Sequence, residues 1–497
     1  MRRDKYVSVP LLTCGLYVLW VALFSNDLAD YDLWGYLSFG RIFWEEGTFP
    51  YQDVFSYTPT KKIWVYHEWL TGVCFYPIYA HAGAAGLQLL RYVILMLTIY
   101  LIYLTAQKRG GSVVWRLIAL LPGTLLISFG YVPVRAQIFT YLFFALSLFL
   151  LESARKEERW SLLRWLLPIQ VLWCNFHGGY PAGLGVIFLY GLGERWAGRR
   201  GGPFLKMGIG AALVTVLNPY GIHYWTYTFQ AVTMPRPDID EWVSVLAALQ
   251  KAIYGVPVLI FLIMSVLLVL FYLYRRSRDY TDLLVLAVMI LLGSRHVRHT
   301  VFLGLIFGAY LPLVLHEYWD ARKEKKDFGS YWRWVPQMTL VLLWLGIYGF
   351  VNPNRVFTMS PTFSLITSSP SFPVGAYYWM IQHRFQGKIL SQFEWGEFFL
   401  WYFYPACRVA MDGRYETVYE EQVIRDYFQF QSGKKGGREF LRKYPPDLIV
   451  IRPNSGAEFV LRAEPGWKKI YADSGCVIYR PVTGKGAANQ EPSGVVS

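Results

Sequence analysis

The chain has 497 residues, is 54% hydrophobic and 18% aromatic, and has a mean hydropathy of +0.28. A soluble chain with a formal charge of +14 would invite nucleic acid. Here no nucleic-acid-binding motif accompanies the charge, and Lys and Arg gather in short connectors between apolar runs, as the positive-inside rule requires. The composition excludes a soluble nucleic-acid binder and predicts a polytopic α-helical membrane protein.

The opening "MRRDKYVSVPLLTCGLYVLWVALF" resembles a signal peptide, but no small-residue cleavage site follows it. It reads as an uncleaved first span at about 8–24, amino terminus inside. A large outer loop (25–84) follows, with the densest acidic cluster of the chain: Asp27, Asp30, Asp32, Glu45, Glu46 and Asp53 among Trp, Tyr and Phe. Within it "HEWLTGVCFYPIYAHAG" (67–83) is apolar but too interrupted to cross, and predicts a helix at the outer interface. Further spans are predicted at about 85–106, 112–130, 136–152, 161–175, 181–194, 204–218, 252–274, 280–293, 299–316 and 334–351. The connectors "QKRGG", "ESARKEERW", "ERWAGRRGG", "YRRSRD" and "ARKEKKD" fall inside. About eleven spans result, amino terminus in and carboxyl terminus out. Residues 1–354 form the membrane domain on this reading.

After about residue 355 the long apolar runs stop and short β-type runs alternate with helical ones, which predicts an extracytoplasmic α/β domain over 355–482. Its sheet should be largely parallel with an antiparallel closing pair. The tail, 483–497, has no periodicity and reads as disordered. The five cysteines are scattered and form neither a disulfide framework nor a metal motif.

Threaded this way, the polar residues that solvation of loops does not explain lie on the outer side, at span ends. They are Asp30, Asp32, His67, Glu68, Arg135, Gln137, Asn175, His177, Asn218, His223, Arg295, His296, Arg298 and His299. Ionisable groups at such depth are costly and point to function. Asp30 and Asp32, two apart, face the same way in an extended stretch. Such carboxylates can take a proton from a hydroxyl nucleophile. With Glu68 they can instead hold a divalent cation, Mg or Mn. Arg295 and Arg298, with Arg135 and His296, suit a phosphate, because the guanidinium fork matches its oxygens. Each motif also has a bland reading: "NFHGGYP" and "NPYG" are turn formulas, and "DGR" at 412–414 is a surface turn with Asp412 and Arg414 solvated or paired.

The layout resembles the GT-C superfamily of membrane glycosyltransferases, related in pattern to protein O-mannosyltransferases and the lipid A aminoarabinose transferase. The resemblance rests on "DYDLWGYLSFGRIFWEEGTFPYQDVFSYT" after the first span, "WVYHEWLTGVCFYPIYAHAG" before the second, and the domain that closes the chain. By the motifs "W-x-N-x-H-G-G" (Trp173 to Gly179), "N-P-x-G" (Asn218 to Gly221) and "S-R-x-x-R" (Ser294 to Arg298), the chain more closely resembles a bacterial group of membrane proteins. The resemblance implies inverting transfer of a sugar from a polyprenyl-phosphate-linked donor to a glycan, lipid or protein acceptor outside the cytoplasmic membrane. It places the catalytic Asp on Asp30 or Asp32. The mannosyltransferases carry adjacent Asp-Glu there, whereas this chain has Asp30-Tyr31-Asp32 and, later, His67-Glu68, so the choice stays open. Two other classes compete. A transporter or lipid flippase would show matching broken spans in two halves; a non-catalytic envelope scaffold would tolerate replacement of the outer polar residues.

Overall fold

The structure, a computed structural model, describes Trp20 and residues 23–131, 133–234, 236, 239–273, 275, 279–323, 362–434 and 436–482. Most of the first predicted span, all of the last and the tail 483–497 lie outside the described residues. The chain divides into two compact units: one takes in residues up to Asp27 together with His81–Ser364, the other joins Leu28–Ala80 to the chain from Leu365 onward.

Two elements open the described chain, α1 (Leu33–Glu45) and α2 (Trp69–Arg109). Within α2 the helix breaks at Gly83, whose φ of 58° and ψ of −151° suit glycine alone. The predicted interfacial helix and second span are the two sides of that break.

The first unit continues with α3 (Val113–Tyr131), α4 (Gln137–Glu157), α5 (Leu166–Phe176), α6 (Pro181–Trp196), α7 (Gly202–Val214) and α8 (His223–Thr233). Then come α9 (Val245–Gln250), α10 (Gly255–Leu273), α11 (Tyr280–Arg295) and α12 (Thr300–Lys323). Five segments among the described residues are long and apolar enough to cross a membrane: Trp69–Arg109, Val113–Gly130, Gln137–Glu157, Gly255–Leu273 and Val297–Trp319. Helices α5, α6, α7 and α11, at 11, 16, 13 and 16 residues, fall short of the usual spanning length. Gly123 and Gly304 let α3 and α12 approach backbone to backbone, since a Cβ on either would meet the other's carbonyl at 2.9 Å.

At one end of this unit a buried ion network ties four helices. Arg109 bonds Glu152 (2.6 Å) and Asp282, Arg155 bonds Glu194 (2.7 Å), and the Tyr190 hydroxyl donates to Glu152 (2.6 Å). Charges this deep persist only when mutually paired.

The second unit carries a five-stranded sheet of β1 (Gly387–Ser391), β2 (Cys407–Val409), β3 (Leu448–Ile451), β4 (Trp467–Ala472) and β5 (Val477–Pro481), in the order β2-β1-β3-β5-β4. β1 pairs in parallel with β2 and β3; β5 runs antiparallel to β3 and β4. Its helices are α13 (Val374–Gln382), α14 (Gly396–Phe403), α15 (Tyr415–Val418), α16 (Glu421–Gln431), α17 (Gly437–Lys443) and α18 (Gly456–Arg462). "LIVI" of β3 is apolar throughout and wholly buried, as a strand covered on both faces must be. The edge of β2 is not bare: the Val409 amide donates to Phe55 O (3.0 Å) and the Tyr57 amide to Val409 O (3.1 Å), so the first-loop segment lies along it.

Candidate functional sites: an acidic pair in one unit and an arginine cavity in the other

Helix α1 begins directly after Asp32, whose amide donates to a carboxylate oxygen of Asp30 at 3.1 Å. Asp32 is half-buried, while Glu397, near the start of α14, is 4% exposed. Helix α14 packs on α1 through Trp34, which meets Phe398, Trp401 and Tyr402 ring to ring. That packing brings Glu397 to α1, where it accepts the Gly35 amide at 3.0 Å. Gly413 lies against both acids: a Cβ there would come 2.9 Å from Glu397 Oε1 and 3.0 Å from Asp32 Oδ1. Burial pushes the Glu397 carboxyl well above its usual range, and the charges of Asp32 and Asp412 push it further. Glu397 therefore favours its neutral form beside Asp32. A carboxyl raised by burial beside a second acid is an arrangement that acid–base chemistry can use.

Asp412 and Arg414 are not at the surface. They are 0% and 5% exposed, which corrects the surface position expected for "DGR"; the turn itself is there. Asp412 accepts the Arg414 amide (2.9 Å), Nε (2.8 Å) and Nη2 (2.6 Å) together with the Tyr419 hydroxyl (2.8 Å). Arg414 also pairs with Asp53 and lies 4.8 Å over both Phe55 and Trp64. Burial alone would lower the Arg414 pKa; Asp412 and Asp53 outweigh it and raise it. The acidic first loop is thus stapled to the loop that carries Gly413. Glu68 approaches His67 at 3.6 Å. Tyr66, beside them, has its phenol raised by burial and then by Glu68 and Glu397.

In the first unit, a cavity of about 200 Å³ is lined by Arg135, Gln137, Tyr141, Glu241, Tyr254 and Arg298, among others. Arg298 bonds Glu241 at 2.9 Å and Arg135 approaches it at 3.6 Å. Burial would raise the Glu241 carboxyl, but Arg298 and Arg135 hold it low. The segment bearing Glu241 is latched in place: His296 Nδ1 meets Trp242 O at 2.7 Å, and Arg298 and Arg236 lie 4.6 and 4.2 Å from the Trp242 ring. Gln137, 7% exposed, has no partner for its Oε1 among the described residues. Two guanidiniums, one carboxylate and an amide around a cavity suit an anion that can replace the carboxylate.

The remaining predicted residues stand elsewhere. His177 Nδ1 accepts the Gly179 amide (2.9 Å) and meets Thr140 Oγ1 (2.8 Å), which takes Trp173 Nε1 (2.8 Å). Asn175 donates to Val171 O and Leu217 O (2.7 and 2.9 Å), and Asn218 closes its own turn on the Tyr220 amide (2.7 Å). These bonds tie the turns to neighbouring helix ends. Arg295 and His223 are exposed, and neither lines the cavity. Among the described residues no three His, Cys, Asp or Glu side chains group to hold a metal. Sequence reasoning missed Glu397 and Glu241. The available signal was an acid inside an aromatic run, "EWGEFFLWYF", and one beside Trp in "DEW".

No family model and no curated protein matches this chain. Solved structures do. The Archaeoglobus fulgidus oligosaccharyltransferase, in complex with Zn and sulfate, aligns with TM-score 0.54 and 12% identity over 89% of this chain and 67% of that one. ArnT from Cupriavidus metallidurans, bound to undecaprenyl phosphate, aligns with TM-score 0.52 and 14% identity over 98% of this chain and 99% of that one. The arabinofuranosyltransferase AftD from mycobacteria aligns with TM-score 0.45 and 13% identity over 96% of this chain but 40% of its own. At such identities the likeness is one of fold. This chain has, among its described residues, five helices long and apolar enough to cross a membrane, and it shares the fold of the oligosaccharyltransferase and of ArnT.

Proposed function

We propose that this protein is a glycosyltransferase that moves a sugar, with inversion, from a polyprenyl-phosphate-linked donor to a glycan, lipid or protein acceptor. On this reading it works at the outer face of the bacterial cytoplasmic membrane, with the 355–482 region outside. The observation that carries the reading is the Asp32–Glu397 pair, a half-buried carboxylate beside a buried carboxyl that favours its neutral form. Asp32 is the base: it takes the proton of the acceptor hydroxyl as that oxygen bonds the anomeric carbon. The bond from that carbon to the phosphate oxygen breaks, and its electron pair leaves with the phosphate. Asp30, whose carboxylate holds the Asp32 amide, positions the base rather than replacing it. Within the first unit, the cavity of Arg135 and Arg298 suits a lipid phosphate, with Glu241 as the anion it would replace. ArnT was solved with undecaprenyl phosphate, which supports this donor class. The Zn of the oligosaccharyltransferase is that protein's own. A divalent cation, Mg or Mn, would be held by Asp30 and Asp32 with Glu68, and would supply positive charge for the leaving phosphate.

The test is transfer from a defined polyprenyl-phosphate sugar by the full chain in nanodiscs. Asp32→Asn should lower the rate by about 10²–10⁴-fold, the usual yield of general-base catalysis, with donor binding kept. Asp30→Asn should cost less. An Asp32→Asn enzyme at wild-type rate would remove the base from the proposal.

A further inference from the structure

The strand order β2-β1-β3 has a consequence apart from the carboxylate pair. From β1 the chain crosses to β2 on one side, and from β2 it crosses back past β1 to β3. With right-handed crossovers, α14 and α16 then belong to opposite faces. Accordingly α14 packs on β2 and α1, whereas α16, α17 and α18 pack on one another. The loops after β1 and β3 therefore part, and the crevice outside the carboxyl ends of these strands is where open α/β sheets take ligands.

That crevice is unusually polar. Ser391 Oγ, Gln392 Oε1, Glu394 Oε2, Gln431 Oε1 and Arg452 Nε are buried without a hydrogen-bond partner among the described residues, and Ser391 is 0% exposed. All five belong to the end of β1, to the segments that follow β1 and β3, or to α16. Ser391 ends β1 and pairs with Val450 of β3, and the Gln392 amide donates to Val450 O at 3.0 Å. Gln431 and Tyr427, on α16, donate to Ser391 O at 2.9 and 2.7 Å. Arg452 follows β3 and lies 5.4 Å from the Trp395 ring. Native proteins leave few such atoms unmatched, and a cluster calls for an explanation.

We propose that this crevice is a saccharide-binding site, separate from the carboxylate pair and independent of the function proposed above. The inventory selects the ligand: two amide oxygens and a carboxylate oxygen accept, a hydroxyl does both, and one guanidinium N–H donates. A ligand that satisfies them presents several closely spaced hydroxyl donors and an acceptor oxygen, as a neutral sugar does. A phosphate or nucleotide offers acceptors to acceptors and would meet Glu394. Gln392, Glu394, Gln431 and Arg452 are part-exposed, so long side chains border the opening and can change rotamer to admit a ring.

The experiment uses the full chain in nanodiscs, with maltotriose and chitotriose as neutral probes and glucose 6-phosphate as the anionic one. Binding is read by saturation-transfer NMR and by hydrogen exchange. A neutral probe should give saturation transfer and slow exchange at residues 391–394 and 452–455, with glucose 6-phosphate weaker. Ser391→Ala and the part-exposed Gln392→Leu should each weaken binding about tenfold, while Asp32→Asn leaves it unchanged. The proposal fails if neither neutral probe binds, if the phosphorylated sugar binds as well, or if both crevice variants keep wild-type affinity. It fails equally if Asp32→Asn abolishes the signal, since the sugar would then occupy the other site.

Discussion

Replacing Glu397 by Gln tests whether the buried acid holds a proton beside Asp32. The amide keeps the shape and the oxygen that accepts the Gly35 amide at 3.0 Å, but it cannot ionise. In the unfolded chain Glu397 loses its proton near 4.5, whereas burial and then Asp32 raise that point in the folded protein. Above pH 4.5 the folded state therefore binds more protons than the unfolded one, and stability must fall as pH rises, until the folded group also ionises. The slope is about 1.4 kcal/mol per pH unit for one proton. For a domain of 150–250 residues that corresponds to about 3–6 °C of apparent Tm per unit. Thermal unfolding of wild type and Glu397→Gln, followed by tryptophan fluorescence between pH 5 and 8, isolates the effect as a difference. The wild type should lose ground steadily to the variant as pH increases. Parallel curves, or a wild type that gains with pH, would mean that Glu397 is an ordinary ionised carboxylate.

Gly413→Ala places a methyl 2.9–3.0 Å from both Glu397 and Asp32. It should cost about 1–3 kcal/mol of stability, as overpacking does, and lower transfer more than donor binding; an active, equally stable variant would show that the carboxyls are not confined there. Arg414→Ala leaves Asp412 and Asp53 buried without their shared cation and should cost about 3–5 kcal/mol, measured by the same unfolding assay. Glu241→Gln removes the anion held by Arg298 at 2.9 Å and should tighten binding of a polyprenyl phosphate about tenfold by microscale thermophoresis; weaker binding would make Glu241 a ligand contact rather than a place-holder. Cysteines at Ile63 and Ser432, both exposed, should react with an impermeant thiol reagent in intact cells, and one at the exposed Lys156 only after lysis. The reverse pattern would invert the proposed topology.

Local chemistry was readable from the chain itself. Apolar runs placed the helices, because burying a helical backbone in hydrocarbon needs nothing beyond continuous apolar length. The break at Gly83 follows from a glycine between two apolar runs. "NPYG" and "NFHGGYP" were legible as turns because Asn218 and His177 bond amides only two residues away. Tertiary packing decided the candidate site. Glu397 meets Gly35 across 362 positions, and neither short segment signals the other. Nor does "DGR" reveal burial: the same three residues make a solvated turn or a buried clasp, depending on whether Asp53 and Tyr419 close over them. Arg135 and Arg298 were marked from sequence as phosphate-binding residues, yet the carboxylate between them, Glu241, sits in a polar connector that gives no sign of its depth. A side chain's type and neighbours are written in the sequence, whereas its loss of water, and hence its charge state, exists only once distant segments have packed around it.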